Sequence, residues 1–213
     1  MTYQIKEIFY TLQGEGAHAG RPAVLLRFAG CNLWSGKPDE RSRATCGFCD
    51  TDFVGTNGSL GGNYASASAV VEAVCSRWPS TPGRSVRPYV VCTGGEPLMQ
   101  LDDTLVTVFH SVDCEVAIET NGTLPVPGGI DWICVSPKAG TKLQVRSGDE
   151  LKLVYPQAGI TPEHYADLSF RYFFLQPLAG PAWSDNIRAA SQYCLANPCW
   201  HLSLQIHKIV GLP

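Results

Sequence analysis

Residues 24–31 read Val-Leu-Leu-Arg-Phe-Ala-Gly-Cys, a short and largely apolar run that ends in a glycine and a cysteine. A short apolar run bounded by glycine predicts a strand. Cys31 then stands at the end of this strand, where the chain leaves the sheet. The stretch is informative about the fold because the same pattern, an apolar run followed at once by polar or glycine-rich residues, recurs along the chain.

The apolar runs predict strands, and helical patterns lie between several of them. The strands are predicted at 23–28, 89–92, 115–118, 132–135, 151–154, 172–175 and 202–206. Helices are predicted at 67–78, 102–111, 162–168 and 183–196, with Ser66 and Ser184 as caps. Segments 55–63 and 79–88 are predicted to be exposed loops.

Strands that alternate with helices predict a parallel sheet in an α/β fold. Each crossover between parallel strands is right-handed and needs a dozen or more residues, so a chain of 213 residues holds about six units rather than the eight of a full barrel. We therefore expect an incomplete (β/α) barrel. A single domain over 1–213 is expected, with an insertion at 32–45 between two cysteines.

The polar and glycine-rich stretches fall directly behind predicted strands. They are Cys31-Asn32-Leu33, Thr93-Gly94-Gly95-Glu96-Pro97, Glu119-Thr120-Asn121-Gly122, Ser136-Pro137-Lys138 and Gln176-Pro177-Leu178-Ala179. Turn chemistry explains some of these residues, because Gly, Pro and Asn are expected where strands end. Five such stretches on one face nevertheless favour a site at the C-terminal edge of the sheet, where α/β folds assemble their sites.

Three of the nine cysteines, Cys31, Cys46 and Cys49, follow the first strand. Three thiolates on a four-iron cluster leave one iron open, and an open iron can hold a small molecule and pass it an electron. Structural zinc is the alternative, within a non-enzymatic interaction module. Closed zinc sites use four ligands, commonly in two pairs, whereas Cys75 and His18 are neither paired nor close in sequence. The other cysteines are expected to be buried thiols.

Composition excludes several classes of protein. A net charge of -3 and a pI near 5.9 give no electrostatic footprint for nucleic acid. The N-terminus lacks a signal peptide and no run approaches 18 apolar residues, so we expect a cytoplasmic protein without a membrane partner. In that reducing compartment, nine cysteines predict thiolate ligands rather than disulfides. Charged residues make up only 16% against about 25% in typical domains, which favours a hidden surface and a homodimer.

The cysteines and the Gly-Gly-Glu-Pro stretch resemble the radical S-adenosylmethionine (SAM) superfamily, although its usual motif has three residues between the first two cysteines. The N-terminal segments narrow the resemblance to the 7-carboxy-7-deazaguanine synthase family. These segments are Phe9-Tyr10-Thr11-Leu12-Gln13-Gly14-Glu15-Gly16, Gly20-Arg21-Pro22 and Arg27-Phe28-Ala29-Gly30-Cys31-Asn32. The match extends along nearly the whole chain, to Gln205-Ile206-His207-Lys208. Another radical SAM enzyme, such as a glycyl-radical activase, remains the alternative.

The resemblance implies a lyase of 7-deazapurine (queuosine precursor) biosynthesis. Its reaction would contract 6-carboxy-5,6,7,8-tetrahydropterin to 7-carboxy-7-deazaguanine with loss of ammonia. The implied cofactors are a four-iron, four-sulfur cluster, SAM and Mg²⁺, and the implied protein partner is a one-electron donor such as a flavodoxin. No residue of the chain is expected to carry the radical, because the cofactor does so.

The resemblance also assigns residues. Cys31, Cys46 and Cys49 would bind the cluster and Thr51 would bind magnesium. Residues around SAM would be Phe48, Asp50, Gly95, Ser136, Pro137, Lys138, Gln176, Pro177, Leu178 and Ala179. The substrate would meet Leu12, Gln13, Gly14, Glu15, Arg27, Thr93 and the terminal Pro213. His207 is open between a site residue and a packed core histidine.

The chemistry of the side chains agrees with some of these roles. The amino-pyrimidinone edge of a pterin presents donors, which suit the Glu15 carboxylate and the Gln13 amide. Arg27 can donate to substrate oxygens, with a structural ion pair as the alternative. Gly95 would let backbone approach SAM closely, because a Cβ would block it. Pro137 favours an extended Ser136 and so directs Lys138 across the sheet edge.

Overall fold

A computed structural model of the protein describes residues 2–80, 83 and 86–212. The strands are β1 (Tyr3–Leu12), β2 (Pro22–Phe28), β3 (Gly62–Tyr64), β4 (Tyr89–Gly94), β5 (Glu115–Thr120), β6 (Trp132–Val135), β7 (Ser147–Tyr155), β8 (Ser169–Pro177) and β9 (Trp200–Leu202). The α-helices are α1 (Ala67–Cys75), α2 (Asp103–Ser111), α3 (Trp183–Ala196) and α4 (Ile206–Val210). Short 3-10 turns span Gly16–His18, Pro38–Arg43, Pro97–Met99 and Pro162–Tyr165.

The strands form one sheet in the order β3-β1-β2-β4-β5-β6-β7-β8-β9. From β2 to β9 each strand is parallel to its neighbour, whereas β1 is antiparallel to β2 and to β3. The sheet is open between β3 and β9. The predicted incomplete barrel is therefore confirmed, with two antiparallel strands at its beginning that were not predicted.

Other local predictions met with mixed results. Strands at 89–92, 115–118, 132–135, 151–154 and 172–175 are confirmed, and so is Ser66 as a cap, which accepts a hydrogen bond from the Ala69 amide at 3.3 Å. Ser184 is wrong as a cap, because the helix already begins at Trp183. The predicted helix at 162–168 is only a four-residue 3-10 turn, and no helix joins β5 to β6 or β6 to β7 in this fully described stretch.

The predicted strand at 202–206 is also wrong. β9 ends at Leu202, and α4 begins at Ile206. Between them the side chains of Ser203 and Gln205 turn inward to partners on other segments, at 3.3 Å from Gln176 and 2.9 Å from Glu15. The predicted loop at 55–63 is in part wrong too, because its last two residues begin β3.

The core lies outside the sheet, between its convex face and the helices. Along β2, Val24, Leu26 and Phe28 point outward into this core, which α1 and α2 cover. The residues between them, Leu25 and Arg27, face the concave side, as the two-residue period of a strand requires. A second apolar cluster packs α3 on β7 and β8.

The concave face changes character along the strands. Ala23, Tyr89, Val91 and Ala117 make an apolar base near the beginnings of the strands. Farther along, the inward positions become polar or charged, as at Glu119. Burial of one face by helices thus leaves the other face free to form a cavity. Within the described residues, no helix combines the length and apolar character needed to cross a membrane.

Candidate active site

A cavity of about 370 Å³ occupies the concave face near the ends of the parallel strands. This volume is in the range of small-molecule sites. It is lined by these predicted residues: Leu12, Gln13, Gly14, Glu15, Arg27, Cys31, Cys46, Phe48, Cys49, Asp50, Thr51, Thr93, Gly95, Ser136, Lys138, Gln176, Pro177, Leu178 and Ala179. The chain therefore brings together residues that are widely separated in sequence.

Two predicted residues are not in this set. Pro137 is buried beside the cavity, and its carbonyl accepts a hydrogen bond from the Gln157 amide at 3.4 Å. Its effect on the site is thus indirect, through the backbone of Ser136 and Lys138. Pro213 lies outside the described residues.

The three motif cysteines lie on one wall of the cavity. Cys46 and Cys49 belong to a tight turn, in which the Cys49 amide donates to the Cys46 carbonyl at 3.4 Å. The hydrogen bond between the two thiols lowers the pKa of Cys49 and raises that of Cys46. Burial raises the pKa of Cys31. Cys49 is thus the thiol of this pair that ionises first.

The spacing of these thiols bears on the metal that they fit. Three thiolates on one zinc ion lie within about 4 Å of one another, because Zn–S bonds are about 2.3 Å long. In the part of the chain that the structure describes, no three His, Cys, Asp or Glu side chains are grouped tightly enough for a single ion. Three thiols on one cavity wall match the number of ligands expected for a four-iron cluster with one open iron.

The insertion at 32–45 holds the cysteine turn in place. Its 3-10 turn presents Arg41, whose guanidinium donates to the carbonyl oxygens of Gly47 at 2.9 Å and Cys49 at 3.0 Å. The same guanidinium lies 4.2 Å from the centre of the Trp34 ring, which packs edge-on against Phe53. The insertion thus secures the carbonyls of the Cys46–Cys49 turn.

Gly95 is required by packing between two loops. A Cβ there would lie 2.2 Å from the carbonyl oxygen of Gly30 and 2.8 Å from the Cβ of Cys31. The next amide, of Glu96, donates to the same Gly30 carbonyl at 2.9 Å. The close approach expected for SAM is therefore not the only reason for glycine, since the cysteine loop itself already excludes a side chain.

Buried charges organise the neighbouring loops. The Glu96 carboxylate accepts hydrogen bonds from the Thr120 hydroxyl at 2.7 Å and the Asn121 amide at 2.8 Å, and burial raises its pKa. Lys138 donates to the carbonyl and hydroxyl oxygens of Ser136 at 2.6 and 2.7 Å. Burial lowers the pKa of Lys138, although the nearby thiols act in the opposite direction. A cation thus stands next to the cysteine wall.

The opposite wall carries a network centred on Lys152 and Glu15. The Lys152 ammonium donates to Glu15 Oε2 at 2.5 Å and to Glu119 Oε1 at 3.1 Å. The amides of Gln176 and Gln205 donate to Glu15 Oε1 at 3.0 and 2.9 Å. Burial alone would raise the pKa of Glu15, but the charge of Lys152 and these hydrogen bonds lower it. Glu15 is therefore held as a carboxylate.

Residues 12–15 enter the cavity from an unexpected direction. β1 is antiparallel, so Leu12 pairs with Pro22 at the beginning of β2 rather than at its end. The chain then crosses the open side of the barrel, where the Gly14 carbonyl accepts a hydrogen bond from the Ile206 amide at 2.9 Å. His207 packs so closely that a Cβ at Gly14 would lie 2.0 Å from its Nδ1. His207 thus lines the cavity.

Arg27 forms an ion pair with Glu7, and a structural ion pair was the alternative to a substrate-binding role for this residue. Its Nε donates to Glu7 Oε1 at 2.8 Å, and both side chains line the cavity. The pair uses one nitrogen of the guanidinium, which carries five N–H donors in all. An ion pair and a binding role for Arg27 are therefore compatible.

Comparisons with known proteins identify the family. No protein-family model matches the chain. Curated proteins named 7-carboxy-7-deazaguanine synthase match it from end to end: that of Bradyrhizobium diazoefficiens is 55% identical over 212 residues and that of Bordetella pertussis 56% over 213, each covering 100% of both chains. The chain belongs to the 7-carboxy-7-deazaguanine synthase family.

A solved structure agrees with membership of the 7-carboxy-7-deazaguanine synthase family. The crystal structure of QueE from Escherichia coli matches with a TM-score of 0.66 and 28% identity, over 97% of this chain and 95% of that one. The resemblance drawn from the motifs is thereby confirmed. Membership of the family favours it over the alternatives of a glycyl-radical activase and a zinc-stabilised module.

Several cavity residues of this synthase family member were given no individual role from the sequence. They are Glu7, Glu119, Lys152, Gln205 and Lys208. Lys152 had a signal, since a lone lysine interrupts the apolar run of β7. Lys208 forms an ion pair with Asp50, which connects α4 to the cysteine loop. Pairs of this kind join distant segments, so spacing along the chain does not reveal them.

Proposed function

We propose that this chain contracts 6-carboxy-5,6,7,8-tetrahydropterin to 7-carboxy-7-deazaguanine with loss of ammonia, as a lyase of queuosine precursor biosynthesis. Full-length identity of 55–56% to curated 7-carboxy-7-deazaguanine synthases carries this proposal. The cavity supports it, because cysteines suited to an iron–sulfur cluster face a wall of acceptors suited to a pterin.

The cluster would be held by Cys31, Cys46 and Cys49, and SAM by the loops that end β4, β6 and β8. When bound, these cofactors supply a carbon-centred radical that can remove a hydrogen atom from the substrate. Lys138 places positive charge beside the thiols. A cation at this position suits the carboxylate of the SAM methionyl group.

The other wall would bind and orient the pterin. Glu15 is a carboxylate with acceptor capacity only, and it suits the N–H donors of the amino-pyrimidinone ring. The Gln13 amide, which donates to Glu119 at 3.1 Å, adds a carbonyl acceptor. Arg27 suits the substrate carboxylate. Orientation of this kind matters because hydrogen abstraction requires the reacting atoms to be held in contact.

Finer features complete the proposal. Thr51 would bind Mg²⁺ together with substrate oxygens and water, as that ion prefers. Pro213 would meet the substrate. A flavodoxin-like protein would supply the electron. The protein would be a cytoplasmic homodimer whose subunit is a single domain with an insertion at 32–45.

An anaerobic turnover assay tests the proposed function. Reconstituted protein is given carboxytetrahydropterin, SAM and reductant, with and without Mg²⁺, and the product is identified by mass. We expect 7-carboxy-7-deazaguanine to form, faster with Mg²⁺. Absence of this product from protein with full iron and sulfide content would reject the function. Equal rates with and without Mg²⁺ would reject only the role of Thr51.

A further inference from the structure

Lys152 is a charged side chain in the middle of a buried strand. It lies on β7 between Leu151 and Leu153, and its side chain is only 5% exposed. An isolated ammonium in such a place is strongly disfavoured, so it must be compensated by partners. Its ammonium contacts Glu15 at 2.5 Å and Glu119 at 3.1 Å.

These two carboxylates come from parts of the chain that the sheet does not pair. Glu119 lies on β5, which is separated from β7 by β6. Glu15 lies beyond the end of β1, on the segment that crosses the open side of the barrel. Lys152 therefore connects both acceptors of the cavity wall to one strand.

The surroundings fix the charge of this group of side chains. Glu150 and Cys134 also act on Lys152, from β7 and from β6, and Lys138 is another cation whose charge interacts with it. Burial would lower the pKa of Lys152, but the carboxylates of Glu119, Glu15 and Glu150 raise it well above its ordinary value. Lys152 thus stays charged across the physiological range and keeps Glu15 ionised in turn.

We propose that Lys152 is a positioning residue that keeps Glu15 as a charged acceptor and holds Glu119 beside it, so that the site selects a 2-amino-4-oxo pterin ring over a 2-oxo ring. The inference rests on the proposed function. An ionised carboxylate only accepts hydrogen bonds, so it pairs with the amino group and repels an oxo group at the same position. A protonated acid can also donate, and would tolerate the oxo group.

Removal of the Lys152 ammonium should convert an ionised carboxylate, which only accepts hydrogen bonds, into a protonated acid, which can also donate one. In Lys152→Met, Glu15 loses its cation, and desolvation, no longer opposed by that charge, raises the pKa of its carboxyl group toward the neutral range. Lys152→Gln keeps an N–H donor without the charge. Lys152→Arg keeps the charge. Lys142→Met is the matched control, because Lys142 is exposed on the loop before β7.

Ligand binding separates these cases. The anaerobic holoenzyme with SAM is titrated with 6-carboxypterin and with 6-carboxylumazine, its 2-oxo counterpart, and the ratio of the two dissociation constants is measured. We expect Lys152→Met to weaken pterin binding by about 10- to 100-fold, as the loss of a charged hydrogen bond does, and to leave lumazine binding nearly unchanged. The ratio should persist in Lys152→Arg and Lys142→Met.

Iron and sulfide content and thermal unfolding show whether each variant is intact. If Lys152→Met does not fold, the ratio in Lys152→Gln decides in the same way. A wild-type ratio in a folded, charge-free variant overturns the role of Lys152. Failure of the wild type to bind 6-carboxypterin and to convert the substrate rejects the proposed function instead, so the two failures are distinguishable.

Discussion

Glu15 shows how one residue can serve both the fold and the site. Its carboxylate receives hydrogen bonds from Lys152, Gln176 and Gln205, which together compensate for its removal from water. A buried ion pair is a weak source of net stability, because desolvation offsets the attraction. Loss of Glu15 is nevertheless destabilising, since it leaves the buried Lys152 ammonium with Glu119 as its remaining carboxylate in hydrogen-bond contact. Because the attraction depends on the negative charge of Glu15, protonation of Glu15 at low pH should weaken these contacts.

Stability should depend on pH through Glu15. Its pKa lies below the ordinary value of 4.5, so the stability that it contributes is complete above that value and is lost as the pH falls through the lowered pKa. Lys152 stays protonated in this range because its pKa is raised. We expect Glu15→Gln to lose about 3 kcal/mol of unfolding free energy at pH 7 and progressively less below pH 4.5.

Urea unfolding of both proteins between pH 7 and pH 3.5 measures this difference. Glu72→Gln is the control, because Glu72 is exposed on α1 and its substitution should give a small difference at every pH. A Glu15→Gln difference that is the same at both ends of the range would contradict the assignment of the charge to Glu15.

At the scale of elements, the insertion at 32–45 has a structural task. Its 3-10 turn is short and contains no buried residue, so it contributes little to the core. Its contacts instead converge on the cysteine turn, through Arg41 and Trp34. The 14 residues between Cys31 and Cys46 thus include a brace, here meaning the side chain of Arg41 and its contacts, which holds the backbone carbonyls of Gly47 and Cys49.

Arg41→Gln should weaken retention of the cluster. The shorter neutral side chain loses both hydrogen bonds to the carbonyls of Gly47 and Cys49 and the stacking on Trp34. We expect iron and sulfide to be lost several-fold faster to a chelator, with little change in the melting temperature before reconstitution. Arg43→Gln is the control, because Arg43 is exposed in the same turn. Equal rates of loss in the two variants would exclude the brace.

Across the whole molecule, the positions of most parallel strands and the stretches at their carboxyl ends could be predicted because both leave local signals, whereas the other cavity residues were assigned from the family resemblance. Apolar runs mark the strands, and Gly, Pro and polar residues mark their ends. β1 escaped prediction because Lys6 and Glu7 interrupt its apolar pattern. Their partners are distant: Lys6 bonds Asp52, and Glu7 bonds Arg27.

Lys152 escaped prediction for the same reason. Its partners Glu119 and Glu15 lie 33 and 137 positions away. A charged residue within an apolar strand has no visible partner in the sequence. Its oppositely charged partners are identified only once the strands are placed side by side in the sheet.

The state of association is a further expectation at this scale. The low charged fraction of 16% and the exposed Ile209 and Val210 of α4, at 55% and 57%, favour a homodimer. Sedimentation equilibrium at micromolar concentration should give about twice the subunit mass of 23.1 kDa. A monomer under these conditions would remove the homodimer from the proposal.

The sheet ends on both sides in strands of only three residues, β3 and β9. Beyond β3, the loop at Gly58 and Ser59 hydrogen-bonds to Lys6 and Ile8 and so covers part of the adjoining strand. Edge strands this short offer few free amides and carbonyls to a neighbouring chain, which limits aggregation by strand addition. Contacts between copies of this protein should therefore be made mainly by side chains rather than by backbone hydrogen bonds between sheet edges.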